Sequence, residues 1–333
     1  MWLTLALLSY FFLAVSSFID KYLLGGALPS PKTYVFYTGF FSLAVLLIIP
    51  LGILASLGVL APIQSFFPLS IDFSKVFFIP SLSLIFLSLL TGFCIILSLY
   101  VYYKGAEIFE ISRISPAVGG LTPVFVLLLT FLVSTLPLSL SSFEKGRLTI
   151  YHYLAFALLI LGSISLSIQR KKIATLTSLK ISLASAFFLG LYFILMRIVY
   201  LFLPFWVGFI WIRIGMFLTA FSFIAFPEVR EELFRKKKGF FREKIALPLL
   251  VGKTFGGVGS FLQNGAVFLV PLMYLPLINA LSGLQYIFLL MLATTLYFKF
   301  PKVLKEQVSG EALFQKILGV FIIAVGLALL FKG

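Results

Sequence analysis

Two cations sit where cations are costly. Arg213 and Lys253 each lie well inside a long apolar run, about eight residues from its nearer end, and a charged side chain at that depth in a bilayer is expensive. It either snorkels to the interface or faces a cavity, a counter-ion or a solute. Eight residues of helix span about 12 Å, more than either side chain covers fully, so both are expected to face a cavity. The apolar runs that hold them, and their neighbours between about 180 and 298, contain no acid. Two such cations without a nearby carboxylate would favour an anionic solute.

The other polar groups in apolar surroundings are few. Gln263, Asn264 and Asn279 are amides that either orient a solute or bond a neighbouring helix. Asp20 and Lys21 fall near the end of the first apolar run, and Lys104, Glu107, Glu110 and Arg113 near the end of the third. Asp20, Glu107 and Glu110 are the acids nearest hydrocarbon, so a carboxylate-coupled proton step would fall to one of them; the plainer alternative is an interfacial ion pair marking a helix end. Arg197 stands in the sixth run as the counterpart of Lys21 and joins this coupling or gating set.

Other chemistry is excluded or disfavoured. One cysteine, Cys94, rules out an internal disulfide and any cysteine metal cluster. His152 is the only histidine, so paired-histidine zinc sites cannot form. No metal and no cofactor is expected, and no enzyme activity: an enzyme acting on lipids would need clustered acids, and the acidic loop around Glu228, Glu231 and Glu232 is the only such cluster. Gly252-Lys253-Thr254 ends like a phosphate loop, but Leu247 replaces the first glycine and no strand precedes it. The net charge of +15 suggests nucleic acid only until its location is considered. The basic residues lie in loops between apolar runs, where anionic lipid headgroups are the natural partners.

With 61% hydrophobic and 11% charged residues over 333 positions, the chain has room for about ten spans of ~20 residues and little else. We read them at about 2–24, 34–58, 78–103, 112–136, 150–168, 180–203, 205–226, 246–270, 272–298 and 313–331, each helical because backbone in hydrocarbon must bond to itself. The first is read as a retained helix rather than a leader, since no Lys or Arg precedes it and it is longer than a leader's apolar core. Prolines cluster at span boundaries; Pro116, Pro123 and Pro276 fall inside or near the start of spans and are expected to break helices locally. Gly252, Gly256 and Ser260 form a small-residue stripe suited to close helix packing, with Gly257-Val258-Gly259 keeping a hinge open.

The chain also repeats itself. Ser9-Tyr10-Phe11-Phe12-Leu13-Ala14 with Lys21 returns as Ser185-Ala186-Phe187-Phe188-Leu189-Gly190 with Arg197. Lys104-Gly105-Ala106 returns as Asn264-Gly265-Ala266, Pro116 as Pro276, Gly92 as Gly252, and Gly162 as Gly326. The expected architecture is therefore an all-α integral membrane protein of ten transmembrane helices in two inverted five-helix repeats, 1–170 and 180–333, joined by a basic linker at 171–179. Five spans per half is odd, so the second half enters from the opposite face. Spans 5 and 10 lack internal charge and are expected at the periphery, where they offer a surface for a homodimer. Basic residues concentrate in the loops after spans 1, 3, 5, 7 and 9, which would place both termini outside the cytoplasm.

Thr122-Pro123-Val124-Phe125, then Glu144, then Leu161-Gly162-Ser163 resemble the motif order of the EamA-type branch of the drug/metabolite transporter superfamily. A looser version follows in the second half, with Gly283-Leu284-Gln285-Tyr286 and Glu311. Arg213 stands where that family often has an arginine, although the first half has Thr38-Gly39 there. The resemblance implies ten helices around a central cavity, secondary transport of small metabolites, and both termini in the cytoplasm, against the Lys/Arg bias. The function expected from sequence is alternating-access transport of a small polar, anionic or amino-acid-like metabolite across the cell membrane. Arg213, Lys253, Asn264, Gln263, Lys104 and Asn279 are the candidate solute contacts. A flippase for a lipid-linked metabolite is the alternative on the same fold.

Overall fold

Apolar backbone has no partner in lipid except itself, and helices are the local solution. The computed structural model describes residues 1–24, 30–47, 49–50, 53, 78–108, 111–135, 149–167, 176–234, 243–297, 318–319 and 321–329, with no strand among them. The elements in order are α1 (Trp2–Leu24), α2 (Pro31–Ser42) with a 3-10 turn at Leu43–Leu47, α3 (Leu82–Ile108), α4 (Ile111–Thr135) and α5 (Ile150–Ser167). They continue with α6 (Leu176–Phe202), α7 (Phe205–Ser222), the short α8 (Pro227–Phe234), α9 (Glu243–Leu269), α10 (Leu275–Ala280), α11 (Ser282–Tyr297) and α12 (321–329).

Among the described residues, five segments are long and apolar enough to cross a membrane: Trp2–Asp20, Leu82–Ile108, Thr177–Phe202, Phe205–Ala225 and Leu272–Leu289. Leu82, Phe86, Leu128 and Phe321 stand exposed on the outside, apolar surface that suits lipid and not water. Among the described residues the structure is helical without strands, and these long apolar helices mark a membrane protein.

Small residues set the helix crossings. α1 and α9 run antiparallel, and a Cβ at Gly252, Gly256 or Gly259 would meet Ile19, Ser16 or Leu13 at 2.8–2.9 Å. Gly252 and Gly256 of the expected small-residue stripe thus pack on α1 together with Gly259, whereas Ser260 lines the cavity instead and Gly257 faces open space. α3 runs antiparallel to α6 and crosses α7, where a Cβ at Gly92 would collide with the Met216 backbone nitrogen. α5 packs on α12 within the same chain: Gly162 abuts Ile323, and Gly326 abuts Leu159.

Two of the expected helix breaks do not occur. Pro116 and Pro123 lie within the unbroken α4. Pro123 has no amide proton for the Gly119 carbonyl one turn earlier, but the Ser282 hydroxyl donates to that carbonyl at 3.3 Å from α11. A neighbouring side chain thereby replaces the lost backbone bond. Pro276 does belong to an interrupted element: a 3-10 turn at Leu272–Tyr274 leads into α10, and the helix breaks at Leu281 before α11. The Tyr10 hydroxyl donates to the Ile278 carbonyl beside that break at 2.7 Å.

Candidate functional site: a charged cavity between the helices

α9 presents one helical face inward, with Lys253, Gly256, Ser260 and Gln263 at spacings of three and four residues. That face forms one wall of a cavity of about 330 Å³, whose other walls come from α1, α2, α3, α4, α6, α7 and the α10–α11 break. A volume near 300 Å³ suits a small solute.

Lys253 occupies one part of the wall. Its ammonium donates to Thr38 Oγ1 at 3.0 Å, lies 3.8 Å from Asp20 Oδ1, and sits 3.8 Å from the centroid of the Tyr34 ring. Asp20 also accepts from the Tyr34 hydroxyl, and the Tyr34 and Tyr103 rings meet edge to face at 4.8 Å. One ring face, a hydroxyl and a carboxylate together replace the water the ammonium has lost.

Arg213 lies two turns of α9 away. Its Nη2 donates to Ser260 Oγ at 2.5 Å and its Nη1 reaches Met216 Sδ at 3.5 Å, with the guanidinium 4.7 Å from the Phe209 ring centroid. No carboxylate pairs with it among the described residues. Asn264 steadies this region, accepting from the Tyr200 hydroxyl at 2.7 Å and donating to the Ser260 carbonyl at 2.7 Å. Near the α10–α11 break, Asn279 donates to the Leu275 carbonyl at 3.1 Å and Gln285 to Ser17 Oγ at 2.9 Å.

Of the residues singled out from sequence, Arg213, Lys253, Gln263, Asn279 and Asp20 line this cavity together, and Asn264 stands behind it, 1% exposed. Arg197 is buried elsewhere, donating to the carbonyls of Val267 and Phe268 at 3.2 and 2.5 Å. It caps the last turn of α9, where carbonyls lack helical partners. Lys104 and Glu107 are exposed on the last turn of α3, Lys21 belongs to the last turn of α1, and Glu110 lies outside the described residues.

The expectation of two cations without a nearby carboxylate holds for Arg213 and fails for Lys253. The acid comes from α1, which packs directly along α9; the absence of acids from the later spans gave no sign of it. Tyr10, Tyr34, Thr38 and Gln285 were also missed. Tyr10 carried a usable signal, since it belongs to the repeated Ser-x-Phe-Phe-Leu motif.

No family model matches the chain, and no curated protein does. Among solved structures, a chain described as "Crystal structure of protein" is similar over 98% of this chain and 96% of its own, with a TM-score of 0.61 and 16% identity. That likeness is one of fold.

Proposed function

We propose that this chain is a multi-pass secondary transporter of a small organic anion, working by alternating access and similar to the EamA-type branch of the drug/metabolite transporter superfamily. The observation that carries the reading is Arg213: a buried guanidinium on the wall of the cavity, bonded to a hydroxyl and a thioether rather than to an acid. A side chain so placed in an apolar bundle is a natural anchor for an anionic solute. The break at Leu281 lends further support, because interrupted helices at the site are a common transporter device.

The ten-span inverted repeat belongs to this proposal, and the pairing of helices favours it. A two-fold exchanging the halves would turn the α1–α9 contact into an α6–α3 contact; both pairs are present and both are antiparallel. The crossing of α5 with α12 is reciprocal as well. Gly162 meets Ile323 and Gly326 meets Leu159, and Leu159 is separated from Ile323 by the same sequence offset as Gly162 from Gly326. Such exchange of equivalent contacts is what a two-fold interface requires.

Counterflow in proteoliposomes tests the function, using amino acids, sugar phosphates and organic acids with and without a pH gradient. Uptake of an organic acid, lost in Arg213→Gln, is the expected result. Failure of every solute together with movement of a labelled lipid would overturn it in favour of a flippase.

A further inference from the structure

We propose that the Asp20–Lys253 pair sets the charge of the solute: the cavity takes a monoanion, its carboxylate on Arg213 and Ser260, because Asp20 cancels the second cation. The proposal rests on the anion-transporter reading for its solute but concerns binding, which is measured without transport.

The charge balance is local. Among the described cavity residues there are two cations, Arg213 and Lys253, and one acid, Asp20. The Lys253 ammonium is already engaged by Thr38, the Tyr34 ring and Asp20, and the Asp20 carboxylate by Tyr34 and Lys253. Together they form a neutral unit. Arg213 differs: a guanidinium has five N–H donors, and the bonds to Ser260 and Met216 leave some of them over. Ser260 accepts from Arg213, which leaves its own proton available to an anion. One uncompensated positive charge therefore faces the cavity, and a single carboxylate matches it.

Position adds a length requirement. Lys253 and Ser260 are seven residues apart on α9, or about 10 Å along the helix. A solute anchored at Arg213 and extending toward Asp20 and Lys253 brings its far end beside the neutral pair. A second negative charge there meets Asp20, and a positive one meets Lys253. An uncharged polar end meets neither penalty.

Three solutes on one six-carbon frame separate these cases: 6-hydroxyhexanoate, adipate and 6-aminohexanoate, titrated calorimetrically into the purified full-length protein in detergent. Unsubstituted protein is expected to prefer 6-hydroxyhexanoate by about tenfold or more, ~1.4 kcal/mol. Asp20→Asn leaves two uncompensated cations and should shift the preference to adipate. Lys253→Gln leaves one cation and one acid at opposite ends and should shift it to 6-aminohexanoate. The double variant returns the site to a single positive charge and should restore the original order, an outcome that misfolding does not produce. An order unmoved by either single variant, or no binding of any of the three to the unsubstituted protein, overturns the proposal. If the order shifts as described while counterflow fails, the charge filter stands and the transporter reading falls. Counterflow with an unmoved order keeps the transporter and removes the filter.

Discussion

Ser98 and Ser185 exchange hydrogen bonds across α3 and α6: each hydroxyl donates to the other residue's carbonyl, at 2.9 and 3.1 Å, and the two hydroxyl oxygens lie 3.3 Å apart. Both residues line the cavity, so the pair ties one helix from each half of the chain at the cavity wall. Interhelical bonds of this kind in membranes contribute about 0.6 kcal/mol on average, because the separated helices find other partners. Ser98→Ala and Ser185→Ala should each lower thermal stability in detergent slightly. Each substitution removes one bond to a carbonyl that survives in the other variant, so a double-mutant cycle should give a coupling near zero, and a coupling above about 0.5 kcal/mol would mean the two hydroxyls act on each other directly.

Glycines in this bundle differ sharply in what they tolerate. A methyl group at Gly92 would lie 2.5 Å from the Ile212 carbonyl oxygen and 2.6 Å from the Gly215 carbonyl carbon of α7, and backbone cannot turn aside as a side chain can. Gly92→Ala should force α3 and α7 apart, with the loss of about 1–3 kcal/mol typical of overpacking or more, seen as a clear drop in melting temperature. Gly257 has nothing within 4 Å of its added Cβ. Gly257→Ala should leave stability unchanged or raise it slightly through better helix propensity.

How much of this could be read from the sequence follows from what a linear pattern can carry. Arg213 and Lys253 were legible because a charge in an apolar run is conspicuous without knowing its neighbours. The partner of Lys253 was not, since Asp20 lies at the far end of the chain and only the α1–α9 packing brings it close. Arg197 was conspicuous for the same reason as Arg213, but its partners, the carbonyls of Val267 and Phe268 at the end of α9, come from another helix and no linear pattern named them. The expected break at Pro123 failed because the compensating hydroxyl, Ser282, comes from another helix. Long apolar helices and small-residue stripes are local properties, and those were readable in place.

α8 grips the first turn of α2, and the grip should be measurable. Glu232 accepts from the Ser30 amide at 3.2 Å, the Ser30 hydroxyl at 3.1 Å and the Thr33 hydroxyl. Ser30 is the N-cap of α2, where amide donors have no helical acceptor. Glu232→Ala should cost about 1–2 kcal/mol, the lower part of the range for orphaned donors because the site is only part-buried. Lys32 nearby pairs with Glu228 at 2.9 Å in the open, and its ammonium is held above the usual lysine range first by the hydrogen bond to Glu228. A raised lysine stabilises the fold at neutral pH and loses that contribution as pH rises through its folded value. Lys32→Ala should therefore have a small effect at neutrality that fades at strongly alkaline pH, while the Glu232→Ala deficit, which involves no lysine, should persist there. Thermal melts of both variants at neutral and alkaline pH check the difference.

Asn264 supports the turn of α9 whose Ser260 accepts from Arg213. It touches Ser260 through the backbone, donating to that residue's carbonyl, and accepts from Tyr200 on α6. Ser260 in turn accepts from Arg213. Removing the amide would leave Tyr200 without this acceptor and loosen the turn of α9 that carries Ser260, without deleting any charge from the cavity. Asn264→Ala should weaken monoanion binding about threefold to tenfold, up to ~1.4 kcal/mol, and leave the order among monoanion, dianion and zwitterion intact. Arg213→Gln should instead abolish binding of all three. An Asn264→Ala protein that lost the charge order would place Asn264 in direct contact with solute rather than behind Ser260, and titration of the same six-carbon series distinguishes the two.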